Sequence, residues 1–249
     1  LARAARKFDC DLPRIRRTEP QRAHKDLVAH LNKKMPVLLC VDDWEHWITA
    51  VRHEGARFVI IDSRNDPVIH VVSWKTLCAR WRYEDENYDD GYAGDVPALF
   101  DLHPVTPRFR VQVKAQFSVQ RAQFLRRPEN RSLSLHWDEY LGDLLDICAP
   151  PSARTTTAIS MAEFLRRRKS LLLSRVAHWH GDIERETVAR MLNNFLFVAQ
   201  TYDLVIPASS RLRALTDLAT LLGMWSASAA GIGSMYGSHG QPGHKPRAR

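Results

Sequence analysis

Two periods of apolar and polar residues divide this chain. Between Val37 and Trp74 the apolar positions come in short runs: Val37-Leu38-Leu39-Cys40-Val41, Trp47-Ile48-Thr49-Ala50-Val51, Phe58-Val59-Ile60-Ile61 and Val68-Ile69-His70-Val71-Val72. β-branched and aromatic residues dominate these runs, so four short strands are expected over residues 37–41, 46–51, 58–62 and 68–72. Helices are expected on both sides. Thr18-Glu19-Pro20-Gln21 offers a capping residue, a proline in the first turn and a glutamine three positions after the threonine, the start of a helix to about Lys33. Ser73 caps another through about Trp81. Phe109-Arg110-Val111-Gln112-Val113 reads as a last strand returning to the same sheet.

From about residue 114 the period turns helical. Leu135 to Cys148 carries an apolar stripe that ends before Pro150-Pro151, and Ser152 to Thr157 reads as a linker. Ser160-Met161-Ala162-Glu163 is a capping box opening a helix to about Ala177, and Thr187–Tyr202 and Arg211 to about Gly233 form two more. The last helix carries Leu218, Leu221, Leu222, Met224 and Trp225 with small residues between them. It is expected in a protein core, with Asp217 at its start. The expected organisation is α+β: a sheet domain over residues 1–113, an all-helical domain over 114–236, and a basic tail over 237–249 disordered by composition.

Composition narrows the chemistry. With 249 residues, 45% of them hydrophobic, the chain can bury a real core. Its formal charge of +8 comes from dispersed runs such as Arg14-Ile15-Arg16-Arg17 and Arg166-Arg167-Arg168-Lys169, which usually form solvated faces. No zinc-finger spacing or RNA-binding consensus accompanies them, which argues against a nucleic-acid partner. Leu218–Gly233 is the one stretch that resembles a membrane span, and its Ser, Gly and Ala content argues against that. Four cysteines without a CxxC or a signal peptide fit a reducing cytoplasm. No cofactor or metal is expected. Glu84 to Asp95 holds six carboxylates without the EF-hand order, so it reads as a surface loop. In His178-Trp179-His180-Gly181-Asp182-Ile183-Glu184 the two histidines stand two apart, the wrong spacing for one helix face.

His46 and Asp62 form the candidate catalytic pair. His53-Glu54-Gly55-Ala56-Arg57 can turn, so the second and third strands read as an antiparallel hairpin. Side chains alternate faces along a strand, so His46, Ile48 and Ala50 share a face, as Phe58, Ile60 and Asp62 do. Folding the pair about Glu54 sets His46 beside Asp62. A carboxylate there holds one ring nitrogen and leaves the other to serve a nucleophile. The bland alternative is a hydrogen-bonded core histidine and a turn-forming aspartate. Asp42 and Asp43 also lie close to His46, but on the approach turn, which ranks them below Asp62.

The order of Met35-Pro36-Val37-Leu38-Leu39, His46-Trp47, Ile61-Asp62-Ser63 and Trp74-Lys75-Thr76-Leu77 resembles the C39-like cysteine peptidases of the papain-like superfamily, over roughly residues 1 to 83. The resemblance implies a papain-like antiparallel sheet with flanking helices, His46 as base, Asp62 as its orienter, and a peptide or protein as substrate or partner. Transglutaminase-like proteins use a similar His-to-Asp hairpin, but usually with threonine after the aspartate where Ser63 stands here.

Both families need a cysteine opening a helix well before the histidine. Cys10 follows a helix-like segment instead, with Pro13 soon after, and Cys40, Cys78 and Cys148 read as buried hydrophobes. The chain begins with Leu1 inside an Ala/Arg-rich helical pattern, so the expectation is a nucleophile upstream of Leu1 or its loss in a pseudo-enzyme. A catalytically inactive protein- or peptide-binding module is the alternative function.

Overall fold

The computed structural model describes residues 1–85, 98–109, 111, 115–150, 157–179 and 183–231. In chain order the elements are α1 (Ala2–Lys7), β1 (Cys10–Asp11), β2 (Ile15–Arg17), α2 (Pro20–Asn32), β3 (Val37–Val41), β4 (His46–Glu54), β5 (Arg57–Asp62), β6 (Ile69–Ser73), α3 (Trp74–Trp81), β7 (Tyr83–Glu84), β8 (Ala98–Pro104), β9 (Thr106–Pro107) and α4 (Val119–Leu125). There follow α5 (Arg131–Leu135), α6 (Trp137–Ile147), β10 (Ile159–Ser160), α7 (Met161–Trp179), α8 (Arg185–Tyr202), β11 (Val205–Ile206) and α9 (Arg211–Ala229). The chain divides into two compact units, Leu1–Leu135 and the residues from His136 onward.

The first unit is α+β. Its main sheet runs β2-β8-β3-β4-β5-β6 with β7 paired to β8, and its neighbouring strands are antiparallel. Alternation sends Val37, Leu39, Val41, Ile48, Ala50, Phe58, Ile60, Phe100 and Leu102 to one face. There they meet Ala23, Leu27 and Leu31 of α2 and Leu77 and Trp81 of α3. Spacings of four along each helix put those residues on one stripe, and burying each large side chain contributes about 1.5–3 kcal/mol before entropy is charged. Ser73 caps α3 as expected, its hydroxyl accepting from the Thr76 amide at 3.1 Å. Thr18 does not cap α2; Glu19 occupies the N-cap, without a side-chain hydrogen bond, and Pro20 opens the helix.

Several sequence expectations need correction here. β8 returns to the sheet, and of the expected strand Phe109–Val113 residues 110, 112 and 113 lie outside the described residues. The unit boundary falls after Leu135 instead of near residue 114. The reason is packing: α4 buries Val119, Ala122 and Leu125 and lies against β4, β5 and β6, so the first helices after the sheet belong to it. The acidic loop from residue 86, the 151–156 stretch of the linker and the tail from residue 232 lie outside the described residues.

The second unit is built on α8, whose Val188, Met191, Leu192, Phe195, Val198 and Ala199 are buried among α6, α7 and α9. The Tyr140 and Trp225 rings stack at 3.9 Å, with the Asn194 amide donating to the Tyr140 hydroxyl at 3.0 Å. The unit is not wholly helical, because β10 and β11 pair antiparallel. Helix α9 does bury Leu218, Leu222 and Trp225, but it ends at Ala229, and Asp217 lies in its second turn, 3.5 Å from Arg213. Among the described residues, no helix is long and apolar enough to cross a membrane.

Candidate active site

A tight turn and one irregularity place His46 and Asp62. Glu54 pairs with Arg57, leaving only Gly55 and Ala56 to turn, with φ +59° at Gly55 as a type II′ hairpin requires at its first central position. Carried unbroken, that register would set Thr49 opposite Asp62 and leave His46 on the opposite face. The register instead shifts between Ala50 and Arg52, so that Val51 bulges and Ile48 faces Asp62. His46 therefore shares the face of Asp62, one pair diagonal to it rather than directly opposite.

The ring and carboxylate meet in a mostly dry setting. His46 Nε2 lies 2.7 Å from Asp62 Oδ1, with Asp62 at 1% exposure. The Arg64 amide donates to the same oxygen at 3.1 Å, and Arg80 of α3 donates to Oδ2 at 3.1 Å. Arg80 also grips Asp42 through two bonds of 2.9 and 2.8 Å. Burial pulls the Asp62 carboxyl up, but the bonds from His46, Arg64 and Arg80 outweigh it and hold it below the usual carboxylate range. Arg80 likewise holds Asp42 low. Asp62 is thus a carboxylate at neutral pH and can only accept, so Nε2 carries the hydrogen. Among the described residues no hydrogen bond engages His46 Nδ1.

The turn from β3 into β4 is unusual. Asp42, Asp43 and Trp44 have φ of 55°, 52° and 68°, three consecutive left-handed residues without a glycine. Each costs about 1–2 kcal/mol relative to right-handed backbone, less for aspartate. Named contacts hold the turn: the Asp42 amide donates to the Arg80 carbonyl at 2.7 Å, and Arg14 lies 5.0 Å over the Trp44 ring. Asp42 is therefore Arg80's partner and not an alternative to Asp62.

A second polar cluster occupies the other face of the sheet. Asp101 stands opposite Arg16 and is 1% exposed. It accepts from Arg14 Nε at 3.0 Å, from Arg16 Nε at 3.1 Å and from the Tyr83 hydroxyl at 2.6 Å. Burial and the Asp101 charge push the Tyr83 phenol far above its ordinary range. Cys40 and His103 lie on this face too, since Cys40 pairs with Trp47 and His103 with Leu38.

None of the four thiols is arranged as a nucleophile. Burial pushes Cys40 and Cys78 up and Cys148 up to about 12, the opposite of what a reactive thiolate needs. Cys10, on β1, donates to the Phe8 carbonyl at 3.4 Å. Among the described residues no group of three His, Cys, Asp or Glu side chains has metal-ligand geometry. His178 lies in the last turn of α7, while His180, Gly181 and Asp182 lie outside the described residues.

Sequence reasoning missed Arg80, Arg14, Arg16, Tyr83 and Asp101. The available signal was an aspartate inside the apolar run Leu99-Phe100-Asp101-Leu102, where a buried carboxylate demands partners. No family model, no curated protein and no solved structure matches this chain.

Proposed function

We propose that His46 and Asp62 are the base and orienter of a thiol hydrolase of the papain-like, C39-like kind, acting on a peptide or protein. The observation that carries this reading is the 2.7 Å contact through Nε2, which leaves Nδ1 as the acceptor nitrogen. A thiol beside Nδ1 gives up its proton there, and the imidazolium that forms faces the Asp62 carboxylate. The ring then returns the proton to the leaving amine. In this reading the nucleophile lies upstream of Leu1 or has been lost, because burial works against a thiolate at Cys40, Cys78 and Cys148 and Cys10 lacks a base.

The test is labelling of the full gene product with a biotinylated iodoacetamide at pH 6. One thiol outside those four is expected to react fast, and to slow at least about tenfold in His46→Ala and in Asp62→Asn. The second reading is a catalytically inactive peptide-binding module, favoured by the raised thiols of Cys40, Cys78 and Cys148. Absence of any fast thiol decides for it. Fast labelling of Cys10 that persists in His46→Ala defeats the assignment of His46 as base.

A further inference from the structure

At the end of the sheet away from His46, a cavity of about 360 Å³ opens between the end of α2, the start of β3 and the bulge of β4. Leu31, Met35, Val51, Val105 and Phe117 form apolar walls, and Lys34 and Arg52 bring cations to it. We propose that this cavity binds a small organic monoanion, a carboxylate with an apolar body of about eight to ten carbon atoms, a size within the usual range for pockets of this volume. The inference does not depend on the roles given to His46 and Asp62.

Two observations beyond the cavity's shape point to such a ligand. The first is Arg52 Nε: the side chain is 39% exposed, but this nitrogen is covered and has no hydrogen-bond partner among the described residues. Its nearest carboxylate, on Glu54, lies 3.8 Å away, too far for a hydrogen bond. A buried donor left open is unfavourable unless something accepts from it. The second is Lys34. Helix α2 closes with the Lys34 amide donating to the Leu31 carbonyl at 2.9 Å and the Met35 amide to His30 at 3.1 Å, the paired bonds of a Schellman ending. The first of the two donor residues must be left-handed, and glycine is the usual choice because a Cβ strains that conformation. Lys34 holds it at φ +58°. Its ammonium donates to Gln116 Oε1, another wall residue, at 3.3 Å.

The charges set the class of ligand. Among the described residues Glu54 offsets part of the Arg52 charge and leaves roughly one cation unmatched, so a monoanion balances the site and a second positive charge is repelled. A bare inorganic anion gains nothing from the apolar walls. An uncharged alcohol fills the cavity but gives Lys34 no counter-charge.

The test is calorimetric titration of the whole chain with octanoate, octanol, octylamine and acetate. Octanoate is expected to bind one per chain with a Kd between about 10 μM and 1 mM, with octanol and octylamine at least about tenfold weaker and acetate silent. Arg52→Gln weakens octanoate about five- to tenfold. Lys34→Gly weakens it similarly while raising the melting temperature by roughly 2–4 °C, since glycine relieves the left-handed strain. That opposition separates a binding role from a structural one. Octylamine binding as well as octanoate, octanoate affinity unchanged in both variants, or no saturable binding up to 10 mM each overturns the proposal.

Discussion

Asp62 and Asp101 are both carboxylates at 1% exposure in the same sheet, and both accept from arginines, yet they are set for different work. Asp101 is enclosed by donors that keep their protons at neutral pH: Arg14, Arg16 and the Tyr83 phenol. Asp62 gives one oxygen to Arg80 and the other to His46, an imidazole whose Nδ1 has no hydrogen bond among the described residues. Burial of a carboxylate is therefore no mark of chemistry. What separates the two is a partner with a second, unengaged nitrogen.

Replacing each acid tests that contrast. Asp101→Ala leaves two guanidinium groups and a phenol without their shared acceptor, and about 3 kcal/mol of unfolding free energy should be lost in urea denaturation. Thiol labelling of the full gene product should keep its rate, since Asp101 lies on the other face from His46. Asp62→Asn keeps one acceptor oxygen, for Nε2 or for Arg80 but not for both, so about 1–2 kcal/mol is lost by the same measurement. It should abolish the fast labelling. Equal stability losses, or a labelling loss shared by both variants, would erase the distinction.

Arg80→Gln is smaller again, about 1 kcal/mol, because the guanidinium is part-exposed and water replaces some of its bonds. Its mark should be local. Hydrogen exchange should quicken at the amides of Asp42 and Arg64, which sit at the two carboxylates it holds, and leave β8 unchanged.

Acid titration gives the smallest effect. His24, His30, His70 and His103 are held below their ordinary values, each chiefly by burial. As pH falls below about 6.5 the unfolded chain takes up these protons first, so stability present at pH 7.5 is lost toward pH 5. His103→Gln should flatten that decline slightly in melting curves, since His103 Nε2 is buried without a hydrogen bond among the described residues. Asp62 and Asp42, held low, keep their contributions until pH falls below about 4, where protonation removes them.

What could be read ahead of the structure follows the range of the interactions. Period-two alternation placed β3 to β6, because those depend on neighbours in sequence. The shared face of His46 and Asp62 followed from a fold about Glu54, whereas the turn is Gly55-Ala56 and only the Val51 bulge, which leaves no mark on hydrophobicity, restores that face with the pair one step from directly opposite. The boundary near residue 114 failed because α4 is amphipathic like the helices after it, and only its partner strands show which unit it joins. The Asp101 cluster joins residues 67 to 87 positions apart, and no local pattern links Arg14 and Arg16 to Tyr83 and Asp101.

The bulge at Val51 turns the His46 and Asp62 pair into a matter of counting. Between the two residues the chain must contain a number of positions of the right parity, whatever side chains fill them. With the two-residue Gly55-Ala56 tip kept, adding or removing two residues within either strand leaves both groups on their common face, whereas a change of one sends His46 or Asp62 through the sheet. A relative of this protein with strands of different length and the same tip would keep the pair only if the strands changed by an even number, or if the bulge were lost in the same step.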